Sequence, residues 1–92
     1  MLSTAARNRF VDKHVIVSGG AAGVGGAAVE LFAQEGAKVT VVDRQEAAGQ
    51  ALAASINQRG GQATFVRADV SDPAAITAAV NHARATFGDA DI

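Results

Sequence analysis

A cluster of glycines near the start of the sequence separates an apolar segment from a helical pattern. Residues 15–17 read Val-Ile-Val, and residues 18–25 read Ser-Gly-Gly-Ala-Ala-Gly-Val-Gly. Helix N-termini carry unpaired N–H groups and a partial positive charge, so they bind phosphate without needing a lysine. Glycine permits a tight turn and lets the backbone approach the phosphate closely. The cluster therefore predicts a phosphate site between a strand and a helix.

Two glycine spacings fit such a site. Gly19-x-x-x-Gly23-x-Gly25 begins directly at the end of the apolar segment, whereas Gly23-x-Gly25-x-x-Ala28 follows the general dinucleotide pattern with alanine in the last place. We favour the first spacing, because the second leaves four residues of loop unexplained. No Gly-Lys-Ser/Thr follows, which excludes a P-loop. Without further signals, the glycines also fit a simple flexible turn.

Asp43 is a carboxylate in a position suited to a dinucleotide site. Asp43 ends a second apolar segment and lies 20 residues after Gly23, the place from which an acid accepts the hydroxyls of an adenosine ribose. Taken alone, Asp43 would be interpreted as a helix N-cap. The adjacent Arg44 could pair with a 2′-phosphate. Because the first charge met by that phosphate is negative, we expect the cofactor to be NAD rather than NADP.

The elements that position these residues alternate regularly between strand and helix. Apolar, largely β-branched segments at 15–17, 39–42 and 63–66 predict strands covered on both faces. Helices are predicted from residue 24 to Gly36, from about 45 to 59, and from Asp72-Pro73 to Gly88. Short turns between them indicate right-handed βαβ units and a parallel sheet of strand order 3-2-1. The predicted fold class is α/β, a Rossmann-type doubly wound parallel sheet truncated at the start of the fourth strand.

The helix periodicity also predicts which side chains face the sheet. In the first helix, apolar residues at i, i+3, i+4, i+7 and i+8 form one stripe. In the second helix, Ala48, Leu52 and Ile56 are expected to face inward, together with Ala51 or Ser55. The stripe predicted for the first helix consists of Val24, Ala27, Ala28, Leu31 and Phe32.

Together these motifs resemble the short-chain dehydrogenase/reductase family over residues 10–92. Residues 18–25 resemble its Thr-Gly-x-x-x-Gly-x-Gly segment, with serine in place of threonine, and Asp69-Val70 resembles the Asp-Val pair that holds the adenine. Alone, Asp69 is equally well interpreted as an ordinary turn acid. Residues 87–92 resemble the lead into the family's fourth strand. The resemblance and the spacing together imply ten cofactor-binding residues: Ser18, Gly19, Ala22, Gly23, Val24, Gly25, Asp43, Arg44, Asp69 and Val70.

The resemblance implies an NAD(P)-dependent oxidoreductase that transfers hydride between nicotinamide and an alcohol or ketone. We expect residues 1–92 to be the N-terminal portion of a single dinucleotide-binding domain. The family's Asn-Asn-Ala-Gly segment, catalytic serine and Tyr-x-x-x-Lys pair have no counterpart, and the sequence contains no tyrosine. We therefore assign no catalytic residue and expect the 92-residue chain to be inactive by itself. The alternative is a non-catalytic dinucleotide-binding or interaction module.

Composition excludes several other functions. The net charge of −1 offers no attraction for nucleic acid or acidic membranes. Cysteine is absent, and His14 and His82 have no partner at ligand spacing, so no metal site is expected. The N-terminus lacks the apolar stretch of a secretory signal, which favours a cytoplasmic protein. We expect a homo-oligomer in the full-length form, and self-association of the isolated chain through an open edge of the first strand.

Overall fold

The computed structural model of the chain describes residues 10–19 and 23–92. It contains three strands and three helices in strict alternation within these residues. They are β1 (His14–Ser18), α1 (Gly23–Gln34), β2 (Lys38–Asp43), α2 (Glu46–Gln58), β3 (Gln62–Arg67) and α3 (Pro73–Phe87).

The three strands form one parallel sheet in the order β1-β2-β3, which confirms the predicted α/β class and the 3-2-1 arrangement. Ser18 pairs with Val42, and Asp43 pairs with Arg67, so the strands end nearly level. Each strand extends one residue or more beyond the apolar segment that predicted it. The loops that follow the strands therefore open at a common edge of the sheet.

Side chains alternate between two faces of β2, and each face is covered by helices. Val39 and Val41 lie in a core with Val29 of α1 and Ile56 of α2. Val42 lies in a second, smaller core that includes Ala79 of α3. Two covered faces explain why the strands are apolar throughout instead of alternating with polar residues.

The predicted inward stripe of α1 is correct for Phe32, which packs against the core, but wrong for other members. Val29 and Ala33 are the fully buried residues of this helix, whereas Leu31 is 62% exposed and Ala27 is also exposed. Ala28 and Phe32 are half-buried, and the side chain of Val24 lies outside the described residues. A helix rich in alanine and glycine offers no unique apolar face, and the small Ala33 permits close packing on the sheet.

The face of α2 was also predicted only in part. Ile56 is buried and Leu52 packs half-buried against the core, as expected. The other fully buried residues are Gly49 and Ala53, while Ala51 is exposed. Gly49 sets the contact with β3, because a Cβ atom built on it would lie 2.0 Å from Cε1 of Phe65. The helix therefore approaches the sheet at a distance that only glycine allows.

Residues beyond α3 lie beside the outer edge of β1. The N–H of Ile16 donates to the carbonyl oxygen of Ile92 (2.9 Å). The N–H of Ile92 donates to the carbonyl oxygen of His14 (3.2 Å). In a parallel sheet, one residue bonds through its N–H and its carbonyl oxygen to the two residues on either side of its partner in the adjacent strand. Ile92 bonds in this way to His14 and Ile16, on either side of Val15. The expectation of a fully open β1 edge is thus wrong beside Val15, where Ile92 is paired as in the first step of a fourth strand.

His14 is a buried polar residue that joins three parts of the fold. The residue is 2% exposed; Nδ1 lies 3.0 Å from the carbonyl oxygen of Gly88, and Nε2 lies 2.7 Å from Oγ1 of Thr40. The Gly88 carbonyl can only accept, so Nδ1 carries a proton; in the neutral ring Nε2 accepts from the Thr40 hydroxyl. The Phe87 ring packs edge-on at 5.3 Å between centroids. His14 therefore connects β1 to β2 and to the end of α3.

The outer edge of β3 is covered at one position by a side chain of α2. The amide of Asn57 donates from Nδ2 to the carbonyl oxygen of Ala63, and its Oδ1 accepts from the Ala63 N–H, both at 2.9 Å. The Asn57 side chain thus forms the two backbone hydrogen bonds that a neighbouring strand would form with Ala63. Such cover limits the pairing of an edge strand with another chain.

We expect Asn57→Ala to lower the free energy of unfolding by about 1 kcal/mol, since two hydrogen bonds are lost and alanine regains some helix propensity. Urea unfolding of the 92-residue chain measures this. Gln58→Ala, at an exposed neighbouring position, is the matched control and should change stability by less than about 0.5 kcal/mol. Equal effects of the two variants would contradict the proposed edge cover.

Candidate functional site

The site lies where the loops after β1, β2 and β3 open at the carboxyl ends of the parallel strands. The register places Ser18 beside Val42 and Asp43 beside Arg67. Side chains that are distant in sequence therefore meet at one edge of the sheet. In open α/β sheets this edge is where ligands bind.

The first two glycines of the preferred spacing adopt backbone conformations that favour glycine. Gly19 has φ +69° and Gly23 has φ +62°. The Gly19 N–H donates to the carbonyl oxygen of Val42 (2.7 Å), and α1 begins at Gly23. A Cβ atom built on either glycine would meet no atom of the described residues within 4 Å, its own chain neighbours aside, so these residues leave space for a ligand there. Ala22 lies outside the described residues.

Asp43 ends β2 and is half-buried. Its Oδ1 accepts from the N–H of Gln45 at 2.9 Å, two residues further along the chain. The N-cap residue of α2 is Gln45, so Asp43 does not have the N-cap position that it would have in the purely structural interpretation. The hydrogen bond holds the carboxylate at the end of the strand, on the side where the cleft opens.

Asp69, in the loop after β3, is fixed by a local turn. Its Oδ1 accepts from the N–H of Ser71 (2.9 Å) and from the Ser71 hydroxyl (2.7 Å). Its Oδ2 lies 3.7 Å from Nη1 of Arg44. The Ser71 N–H and hydroxyl, with a smaller contribution from Arg44, hold the pKa of the Asp69 carboxyl below its ordinary value. The interpretation as a turn acid is therefore structurally correct, and the same turn presents Asp69 to the cleft.

One cleft of about 330 Å³ brings half of the predicted residues together. Its lining contains Gly19 directly after β1, Asp43 at the end of β2 and Arg44 directly after β2. This cleft is lined by Gly19, Asp43, Arg44, Ala68, Asp69, Val70 and Ser71.

A second, largely apolar cleft of about 230 Å³ lies between the sheet and α3. Ser18 lines this second cleft, and Val70 lines both clefts.

Two lining residues, Ala68 and Ser71, were not among the predicted site residues. Ser71 positions Asp69, and the signal was present: an aspartate two residues before a serine is typical of a local side-chain turn. Gly23 and Gly25 lie in α1 and do not line the cleft. Five of the ten predicted residues share the cleft.

Two other kinds of function find no support in the part of the chain that the structure describes. No group of three histidine, aspartate or glutamate side chains there could hold a metal ion. None of the helices at 23–34, 46–58 and 73–87 is long and apolar enough to cross a membrane. His82, the second histidine, is exposed on α3.

Comparison with known proteins gives one consistent result. The sequence is 41% identical over 81 residues to 2,5-dichloro-2,5-cyclohexadiene-1,4-diol dehydrogenase LinX of Sphingobium indicum, covering 88% of this chain and 32% of that protein. It is 45% identical over 80 residues to the sex determination protein tasselseed-2 of Zea mays, covering 87% and 23%. It is 39% identical over 84 residues to short-chain dehydrogenase reductase 3a of Arabidopsis thaliana, covering 91% and 32%.

The chain spans about a third or less of the length of these relatives. The sequence model of the short chain dehydrogenase family matches residues 13–92, which include all three strands, all three helices and the cleft. This chain therefore belongs to the short chain dehydrogenase family.

Proposed function

We propose that this chain binds the adenosine and phosphate portion of NAD as the nucleotide-binding part of an oxidoreductase. The convergence of Gly19, Asp43 and Asp69 on one cleft at the carboxyl ends of parallel strands carries the proposal. The open space beside Gly19 fits a phosphate, and the carboxylates fit groups that donate hydrogen bonds. We further propose that residues 1–92 are the N-terminal portion of one dinucleotide-binding domain.

Each part of the cofactor has residues suited to it. Backbone N–H groups after Gly19 and in the first turn of α1, including those of Ala22, Gly23, Val24 and Gly25, would hold the pyrophosphate, because the Gly19 N–H is already bonded to Val42. Asp43 would accept from the ribose hydroxyls. Asp69 would accept from the adenine amine, and Val70 would contribute its backbone. Ser18, which is exposed at the end of β1, would lie beside the phosphates.

When bound, NAD supplies the nicotinamide carbon that accepts or donates hydride. Relatives named as a diol dehydrogenase and as tropinone reductase-like 2 favour an alcohol or ketone as the second substrate. Binding of the adenosine portion by these residues would orient the nicotinamide toward a substrate site built from other parts of the protein. We propose that this full-length protein is a cytoplasmic homo-oligomer.

The charges in the cleft favour NAD over NADP. Asp43 and Asp69 are acidic and Arg44 is basic, so the three charges sum to −1. A 2′-phosphate would approach Asp43 first and be repelled, whereas a 2′-hydroxyl donates a hydrogen bond to it. We expect NAD to bind more tightly than NADP.

Isothermal titration of the chain with NAD and NADP tests this function, with Gly19→Ala as the informative variant. The added methyl group would stand where the phosphate approaches, and losing one charge-assisted hydrogen bond weakens binding by about tenfold or more. Gly60→Ala is the matched control. Gly60 also has positive φ (+91°) and open space around it, but it follows α2, away from the cleft.

Both alanine variants carry similar backbone strain. A difference between their affinities for NAD therefore reports contact with the ligand and not a general loss of stability. We expect Gly60→Ala to keep the affinity for NAD and Gly19→Ala to lose it. Absence of NAD binding by the unmodified chain, in a folded sample, would contradict the proposal. Tighter binding of NADP than of NAD would contradict the expected preference alone.

A further inference from the structure

Arg44, the cationic residue among those that line the cleft, is already engaged by an acid. Nη1 of Arg44 lies 3.7 Å from Oδ2 of Asp69, and the two side chains are 72% and 45% exposed. They come from different loops, after β2 and after β3, and both line the cleft. The ion pair therefore bridges two walls of the cleft.

We infer that Asp69 determines nucleotide specificity by holding the Arg44 guanidinium away from a 2′-phosphate, an inference that rests on the proposed function. Arginine is the residue best suited to bind a phosphate, because its planar fork offers two parallel N–H donors. In this cleft, an approach of Arg44 to a 2′-phosphate would require giving up Asp69. NADP is thus disfavoured twice, by the charge of Asp43 and by the engagement of Arg44.

The geometry of Asp69 suits this role. Both hydrogen bonds from Ser71 go to Oδ1, which leaves Oδ2 oriented toward Arg44. These hydrogen bonds also hold the pKa of Asp69 below its ordinary value, so the carboxylate is charged throughout the neutral range. Arginine is charged at every such pH. The attraction between the two side chains therefore does not change with pH in the neutral range, and it weakens with ionic strength.

Asp69→Asn tests the inference. Asparagine keeps an oxygen that can accept from Ser71, but it lacks the charge that holds Arg44. Any loss of a hydrogen bond to the adenine amine affects NAD and NADP equally, because both carry the same adenine. We expect the ratio of the NADP to the NAD dissociation constant to fall by about two- to fivefold, the range typical of exposed ion pairs. Isothermal titration with both dinucleotides gives this ratio without any measurement of activity.

A double-mutant cycle with Arg44→Gln separates the engagement of Arg44 from direct repulsion by Asp69. If Asp69 acts through Arg44, Asp69→Asn leaves the ratio unchanged in the Arg44→Gln background. An equal fall in both backgrounds would overturn the inference. Arg44→Gln alone should weaken NADP binding by less than about twofold, because the engaged arginine contributes little; a large loss would overturn the inference even if Asp69→Asn failed to fold.

Asp89→Asn is the matched control for net charge. It breaks a second exposed ion pair, Arg84–Asp89 at 3.0 Å, which lies at the end of α3 away from the cleft. The ratio of the two dissociation constants should stay the same in this variant, and a fall equal to that in Asp69→Asn would overturn the inference.

If the unmodified chain binds NAD but Asp69→Asn leaves this ratio unchanged, the inference fails and the proposed function stands. If the folded chain binds neither dinucleotide, both fail.

Discussion

Gly49→Ala is expected to lower the free energy of unfolding by about 2 kcal/mol. Alanine normally stabilises the interior of a helix by about 1 kcal/mol relative to glycine. Here its Cβ would lie 2.0 Å from Cε1 and 2.2 Å from Cδ1 of Phe65. The Phe65 ring packs against the core between α2 and the sheet, so relief requires either the ring or the helix to move. Overpacking of this kind costs about 1–3 kcal/mol, and we expect the upper end to outweigh the gain in helix propensity.

Urea unfolding of Gly49→Ala in two backgrounds measures whether Phe65 is responsible. In a Phe65→Leu chain the smaller side chain should relieve the clash, so that Gly49→Ala becomes neutral or stabilising. Gln50→Ala, at the exposed neighbouring position of α2, should change stability by less than about 0.5 kcal/mol. A Gly49→Ala chain as stable as the unmodified protein would show that α2 can shift away from β3 at little cost.

His14→Leu is expected to lower the free energy of unfolding by about 2–3 kcal/mol. Leucine replaces the volume of the ring, but it leaves the Thr40 hydroxyl, which is 0% exposed, without its partner. A buried donor left unsatisfied costs about 1–3 kcal/mol. The hydrogen bond to Gly88 and the ring contact with Phe87 are lost as well, so the residues after α3 should separate from β1 more easily.

The second substitution Thr40→Val distinguishes a hydrogen-bonded pair from simple packing. Replacing both partners by apolar side chains removes the unsatisfied group, so the double variant should be more stable than His14→Leu alone. Hydrogen exchange of the Ile16 and Ile92 amides, which pair the two segments, should quicken in His14→Leu. Additive costs of the two substitutions would mean that the His14–Thr40 contact contributes nothing specific.

The position of the glycine turn and of Asp43 could be predicted from the sequence because both follow from local rules. A β-branched segment, a cluster of glycines and a helical period occupy adjacent residues, and parallel strands of similar length end at one edge. The place of Asp69 required the resemblance to a family, because an aspartate before a serine is an ordinary turn signal. Ser71 was missed for the same reason.

By itself, the sequence determined the alternation of strands and helices, the parallel sheet, and the edge at which Gly19 and Asp43 lie, because these follow from local patterns and from the rule that parallel strands end at one edge. Only the tertiary structure decided which helix faces are buried, since alanine and glycine cover α1 and α2 on several sides. It also decided the pairing of Arg44 with Asp69 and of His14 with Gly88, which are 25 and 74 residues apart. Such contacts depend on how closely separate elements approach one another, and the periodicity of residues along the chain does not encode the distance between those elements.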